Sequence, residues 1–292
     1  MNLLKKIKSE KDNTIKYVFK TIDDLIVEFS KIDKEPDKFH ICASTHTWCD
    51  MGCKFCHLTH KKVQKTRELK YSELSQAIDI IILDNSELVS SAERLLISFM
   101  GSGEPLNITP KTLIDIAQEV RYKYQDNFTT IRFSISTMVP KYKLLDLMNL
   151  AKDFYNSKLD FKIHYSLHST NKEDREYLMP NCLNHYYVIP ILHYLQETYD
   201  TKIELHYTLI KNLNDFTNSF GIPYEIEVLK SYGLPIKFLK FAEVDNMQSV
   251  SYEEYLEYVK PYFKDSECEY YEPPGSDIGA SCGQFTMEEY IK

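Results

Sequence analysis

Cys49, Cys53 and Cys56 lie in the stretch ICASTHTWCDMGCKFCHLT (41–59), a CxxxCxxC array short enough to bring three thiols to one centre. The chain has an odd total of seven cysteines and opens MNLLKKIKSEKDN, without the apolar core of a secretory leader. Such usage fits a reducing compartment, where clustered cysteines bind metals or react rather than form a disulfide framework. Two centres suit the array. Three thiolates can hold an iron-sulfur cluster and leave one iron open to a ligand that is not protein, which makes that iron a place for reaction. With His60 the same thiols form a Cys3His set for a closed, tetrahedral, structural zinc.

Other residues with chemical potential follow. Phe99 to Leu106 read FMGSGEPL. Glycines at a strand end let backbone approach a ligand closely, and Glu104 offers a carboxylate that accepts from an ammonium group. Ser134-Ile135-Ser136-Thr137 and Ser166-Leu167-His168 close two later strands, where hydroxyls also serve simply to satisfy backbone. Residues 273–285, PPGSDIGASCGQF, are too rich in proline and glycine for regular structure, so Cys282 is expected on a loop. Cys42 stands seven residues before Cys49, while Cys182 and Cys268 read as buried, inert thiols. Lys61, Lys62, Lys65, Arg67 and Lys70 form a basic run beside the cysteine loop, a solvated face or a phosphate contact.

The elements that must position these groups are legible from periodicity. Ile15, Tyr17 and Phe19, then Leu25, Val27 and Phe29 after a turn at Asp23-Asp24, predict a β-hairpin over 14–30. Strands are then expected near 38–44, 95–100, 129–136, 160–167, 202–210 and 235–241. Leu74, Ala77, Ile78 and Ile81 mark a helix between the first two, and Leu113, Ile116, Ala117 and Val120 mark the next, with Thr109-Pro110 at its start. Further helices are predicted at 141–155, 184–199, 222–232 and 251–263, the last opened by Ser251 and Glu254 in capping-box spacing. Six strand-helix units in series predict an α/β chain: a partial (β/α)6 TIM-like barrel (38–292) carrying the C-terminal cysteine loop, preceded by a small N-terminal β-hairpin extension (1–37). Sites in such folds sit at the C-terminal ends of the strands, where the cysteine loop falls.

A hydrophobic content of 43% and a charged content of 27% describe a soluble globular chain of 292 residues. No apolar run is long enough to span a bilayer, so a cytoplasmic location without membrane partners is expected. The formal charge of -8 argues against a broad nucleic-acid-binding face and leaves room for a local patch.

Phe55, just before the last cysteine, completes CxxxCxFC, which resembles the signature of radical S-adenosylmethionine (SAM) enzymes, whose open iron chelates SAM. Taken in order, VE at 27–28, the Cys42-to-Cys56 spacing, FMGSGEPL, VP at 139–140, SLHSTNKEDREYLMP at 166–180, LIKNLND at 209–215 and SCGQF at 281–285 resemble the RlmN/Cfr family of adenine methyl synthases. Four departures stand out: Trp48 in place of a glycine, His57-Leu58-Thr59 after the third cysteine, a spacing from Glu28 to Cys42 one residue longer than the family's, and an N-terminal accessory domain that is expected to be absent.

The resemblance implies a 4Fe-4S cluster on Cys49, Cys53 and Cys56, with SAM contacts from Gly103, Glu104, Ser134, Ser166, His168 and Asn214. It further implies that Cys282 carries a methyl group taken from SAM, that Glu28 acts as base, and that Cys42 attacks the Cys282 sulfur to release product. The function expected is methylation of an adenine carbon in RNA (rRNA or tRNA), fed by a reductant such as flavodoxin or ferredoxin. Two other readings stay open: the same chemistry on a free nucleotide or other small molecule, and a non-catalytic zinc or iron-sulfur binding protein.

Overall fold

The computed structural model describes residues 1–61, 64–216, 224–281 and 283–284. Its strands are β1 (Asn2–Lys8), β2 (Ile15–Lys20), β3 (Ile26–Ile32), β4 (Lys38–Ala43), β5 (Arg94–Phe99), β6 (Thr130–Thr137), β7 (Asp160–Ser166), β8 (Lys202–Thr208), β9 (Ile236–Leu239) and β10 (Cys268–Tyr271). They form one sheet in chain order. The pairs from β1 to β4 are antiparallel, and those from β4 to β10 are parallel. The six strands expected from sequence are β4 to β9. The hairpin is β2–β3, with Tyr17 opposite Phe29 and Phe19 opposite Val27. Strands β1 and β10 extend the sheet at either end.

Parallel strands need crossovers, and helices supply them. These are α1 (His57–His60), α2 (Tyr71–Asp84), α3 (Ser86–Ser91), α4 (Pro110–Tyr124), α5 (Leu144–Asn156), α6 (Lys172–Leu178), α7 (His185–Tyr199), α8 (Tyr224–Ser231) and α9 (Tyr252–Tyr258). Pro110 occupies the first turn of α4, where its missing N–H is no loss, but the Thr109 hydroxyl leans to Glu68 instead of capping the helix. At α9 the expected capping box forms: Ser251 Oγ accepts from the Glu254 N–H and the Glu254 carboxylate accepts from the Ser251 N–H. That helix stops at Tyr258, and a short 3-10 turn follows at Lys260–Tyr262.

Strict alternation gives the parallel strands two unlike faces. Leu95, Ile97 and Phe99 of β5, Phe133 and Ile135 of β6, and Ile163 and Tyr165 of β7 are buried in the core shared with α2, α4, α5 and α7. Each such side chain contributes about 1.5–3 kcal/mol by leaving water. The opposite face is polar. His40 and Cys42 of β4, Ser98 of β5, Arg132 of β6, Lys162 and His164 of β7, and His206 of β8 line a cavity of about 470 Å3 together with Tyr271 of β10. Residues from β4 and β10 share one cavity only if the sheet curls around it, so the strands form a partial barrel with a polar lumen.

The C-terminal segment spans the opening between the first and last strands. Ser9 Oγ and the Glu10 N–H donate to the Asp277 carboxylate, and the Gly275 N–H donates to Asp12. Gly275 takes φ +72, and a side chain there would run into Ala280 and Thr14. This clasp directs the chain toward the cysteine loop. The Gly283 carbonyl accepts the His57 N–H at 2.9 Å, and Cys56 Sγ lies 3.7 Å from the same oxygen.

Candidate active site

The loop after β4 carries Cys49, Cys53 and Cys56 to the C-terminal end of the barrel. All three thiols line one cavity of about 180 Å3, with Gly101, Gly103 and Glu104 after β5, Ser136 and Met138 on and after β6, and Ser166 and His168 on and after β7. Burial pushes every one of the thiols up: Cys49 to about 12, Cys53 well above the usual range, and Cys56 in the same direction. For Cys49 and Cys53 the neighbouring thiols add to the effect. Thiols so placed stay protonated until a metal centre displaces the proton.

The donor set fits a cluster better than zinc. Among the described residues, the one set of three His, Cys, Asp or Glu side chains whose ligand atoms all lie within 4.8 Å is elsewhere, in the lumen. At least one pair of the three sulfurs is therefore further apart than the roughly 4 Å that zinc-sulfur bonds of about 2.3 Å allow around a tetrahedron. His60 is also committed elsewhere, with Nδ1 2.7 Å from Asp245 and Nε2 2.7 Å from the Lys54 carbonyl. The Cys3His alternative loses its fourth ligand.

Glu104 is buried at the mouth of this cavity. Its carboxylate accepts from Thr137 Oγ1 at 2.5 Å and from the Leu106 and Met138 N–H groups, both at 3.2 Å. Desolvation outweighs those bonds and raises its pKa to about 7. A carboxyl that titrates near 4.5 unfolded and near 7 folded weakens the fold as pH rises between those values. An ammonium group bound there offsets that loss. Glu104→Gln is expected to weaken SAM binding by roughly 100-fold, the loss of a charge-assisted bond of about 2–3 kcal/mol. In the unsubstituted chain, affinity should rise by about tenfold between pH 6 and 8 as Glu104 ionises, and the glutamine variant should show no such rise. Equilibrium binding of SAM across that range checks both.

Gly101 and Gly103 are required first by packing against the chain itself, where the loop after β4 leaves no room for a side chain. A Cβ on Gly101 would stand 2.5 Å from Ser44 Oγ, and one on Gly103, at φ +104, would stand 2.3 Å from His46 Nδ1.

His168 adopts φ +55 after β7. Its Nδ1 accepts the Thr208 N–H at 2.9 Å, and burial holds its pKa well below the usual range, so the ring is neutral. Phe55 packs edge-on against it at 4.7 Å between ring centroids. Ser166 Oγ lies 3.4 Å from Ser136 Oγ at the cavity wall.

Five expected site residues lie apart from this cavity or outside the described residues. Ser134 is one pleat deeper, donating to Ser98 Oγ at 2.9 Å, and Ser136 takes the lining position. Asn214 acts as a fastener: its Nδ2 donates to the His168 and Thr208 carbonyls while Oδ1 accepts the Ile210 N–H. Glu28 is fully buried on β3 with Lys16 Nζ 3.4 Å away, and neither cavity includes it. Cys282 lies outside the described residues, although Gly283 lines the cavity. Cys42 is buried against the lumen cavity, which shares Met100, His206 and Tyr271 with the site above it.

Sequence reasoning missed Arg175. Its guanidinium donates to the Leu167, Leu183, Met138 and Ser166 carbonyls and to Tyr165 Oη, tying together the ends of β6 and β7. The only signal for it was its place inside the 166–180 motif. In the basic run, Arg67 is held by Asp23 and Glu73, which takes it out of the candidates for phosphate contact.

No family model matches the chain. Its fold is similar to a radical SAM methyltransferase from Sphaerobacter thermophilus, with a TM-score of 0.76 at 21% identity over 97% of this chain and 80% of that one. Native anSMEcpe with bound AdoMet aligns at a TM-score of 0.52 and 17% identity over 76% of this chain and 58% of that one. The fold is thus a partial barrel of the kind seen in those radical SAM structures. In sequence, the chain is 28% identical to a probable dual-specificity RNA methyltransferase RlmN of Spiroplasma citri, covering 94% of this chain and 76% of the relative. It is also 28% identical to the protein of the same description from Clostridium novyi, over 100% of this chain and 81% of that one. Over nearly its whole length the chain is thus similar in sequence to proteins described as RlmN.

Proposed function

We propose that this chain is a radical SAM methyltransferase that methylates an adenine carbon in RNA. The observation that carries the reading is the meeting of three desolvated thiols, two close-approach glycines and one buried carboxylate around a single cavity at the strand ends. Cys49, Cys53 and Cys56 would hold a 4Fe-4S cluster, which when bound supplies the single electron that opens the SAM sulfonium.

The chain's own residues prepare that event. Glu104 receives the SAM amino group, and Gly101 and Gly103 let the backbone lie against it. Phe55, Met100, Met138 and Met179 line the cavity with apolar surface that excludes water from the reacting carbon. Ser136, Ser166 and neutral His168 face the same space and offer hydrogen bonds to the rest of SAM.

Cys282 and Cys42 are assigned the two thiol roles, carrying the methyl group and releasing the product. Gly283 at the cavity supports this assignment, because it is next in sequence to Cys282. A one-electron donor of the flavodoxin or ferredoxin class completes the system. RNA is the substrate favoured by the descriptions of the relatives.

Anaerobically reconstituted protein, given methyl-labelled SAM and an equal supply of RNA and free adenine nucleotides, tests the reading. Label is expected in adenosine recovered from RNA. Label confined to free nucleotides would replace RNA with a small substrate, and no label in either would reject methyl transfer.

A further inference from the structure

The lumen holds a second convergence of ligand-type side chains, away from the cysteine loop. Parallel register sets His164 of β7 beside Glu204 of β8 and Ser166 beside His206, so both imidazoles and the carboxylate meet on the inner face. Glu204 Oε2 lies 3.0 Å from His164 Nδ1 and 3.2 Å from His206 Nε2, and the two ring centroids are 4.4 Å apart. With Lys237 Nζ at 3.5 Å, three donors crowd one oxygen. That exceeds what two lone pairs satisfy well.

We propose that His164, Glu204 and His206 form a binding site for a transition-metal dication of the zinc type, with its remaining coordination open to the lumen. Metal-ligand bonds of about 2.0–2.1 Å at tetrahedral angles place ligand atoms about 3.3 Å apart, close to the two separations observed. Burial lowers the pKa of both histidines, so each ring is neutral and keeps a lone pair to donate. Binding moves the proton of each ring to its other nitrogen, with no net release. His164 and His206 line the cavity of about 470 Å3, which supplies water or a solute as the further ligand.

Two lysines bear on the site. Lys162 Nζ is 3.1 Å from Oε1, the carboxylate oxygen that the histidines leave free, and Lys237 also pairs with Glu269 at 3.4 Å. Against the cost of burial, the hydrogen bonds from His164 and His206, with the charge of Lys237, hold Glu204 ionised before a metal arrives, and Lys237 has an acid to turn to when the metal takes Oε2. The N2O ligand set differs from the three thiols, so the two centres select different metals.

The test uses full-length protein reconstituted with iron and sulfide, incubated with excess zinc and desalted. Zinc is counted by mass spectrometry, and its neighbours are read from zinc K-edge absorption. The expected result is about one zinc per chain with nitrogen and oxygen neighbours only, reduced at least tenfold in H164A and H206A while iron is retained. E204Q keeps the side chain's size while removing its charge: it should retain iron, which reports the fold, yet lose zinc. Absence of zinc from the unsubstituted chain, sulfur neighbours around it, or full zinc in E204Q would overturn the assignment.

Discussion

Cys53→Ala is expected to reduce iron from about four per chain to below one and to bring SAM cleavage to background. Three thiolates are the minimum that holds a site-open cluster, and Cys53 lies between its two partners in the loop. Removing one leaves two desolvated thiols, which have no reason to ionise at neutral pH once the centre fails to assemble. Stability of the metal-free chain should change by no more than about 1 kcal/mol, because Cys53 is only partly buried at the edge of a small apolar cluster and the substitution removes one sulfur. Iron analysis, 5'-deoxyadenosine release and thermal melting of the metal-free protein separate the two effects. Iron retained at the unsubstituted level would mean that Cys53 is not a ligand.

The largest effect on stability is expected at Arg175. Arg175→Leu takes the guanidinium donor away from the Leu167, Leu183, Met138 and Ser166 carbonyls and from Tyr165 Oη in a buried setting. Each orphaned acceptor costs about 1–3 kcal/mol. A loss of about 4 kcal/mol, or roughly 10 °C in melting temperature, follows. The same substitution loosens the segment that carries Ser166 and His168, so SAM affinity should fall in the fraction that remains folded. A melting temperature within about 2 °C of the unsubstituted chain would show that the network contributes little.

The fold was legible where alternation and helical periodicity took turns. From β4 to β9 each strand buries one apolar row against the helices, and the helix between repeats at i, i+3, i+4, so both periods are readable. The ends of the sheet were not. NLLKKIK in β1 is an edge strand whose lysines face solvent and mask its alternation. CEYY in β10 has four residues, too few for a period to declare itself. Helix α6, KEDREYL, has no apolar stripe to mark it, because the residues it buries are one arginine and one leucine, Arg175 and Leu178.

Among the expected site residues, those set by position along the chain line the cavity, and those set by depth in the barrel do not. The cysteines, Gly103, Glu104, Ser166 and His168 follow strand ends and reach the cavity. Ser134 and Ser136 share a face of β6, and only the height of the strand in the barrel selects Ser136. Asn214 turns back on its own loop, and Glu28 meets Lys16 across β2–β3, contacts that no local pattern discloses. His60 is drawn away by Asp245, 185 residues further on.

The central claim, methyl transfer through the chain's own thiol beside a cluster, is tested most directly at Cys282. Protein reconstituted anaerobically and given SAM with a deuterated methyl group is digested, and the peptide containing Cys282 is weighed. The account predicts a labelled methyl on Cys282 that is absent from Cys282→Ala. An unmodified Cys282 in protein that still cleaves SAM would contradict it.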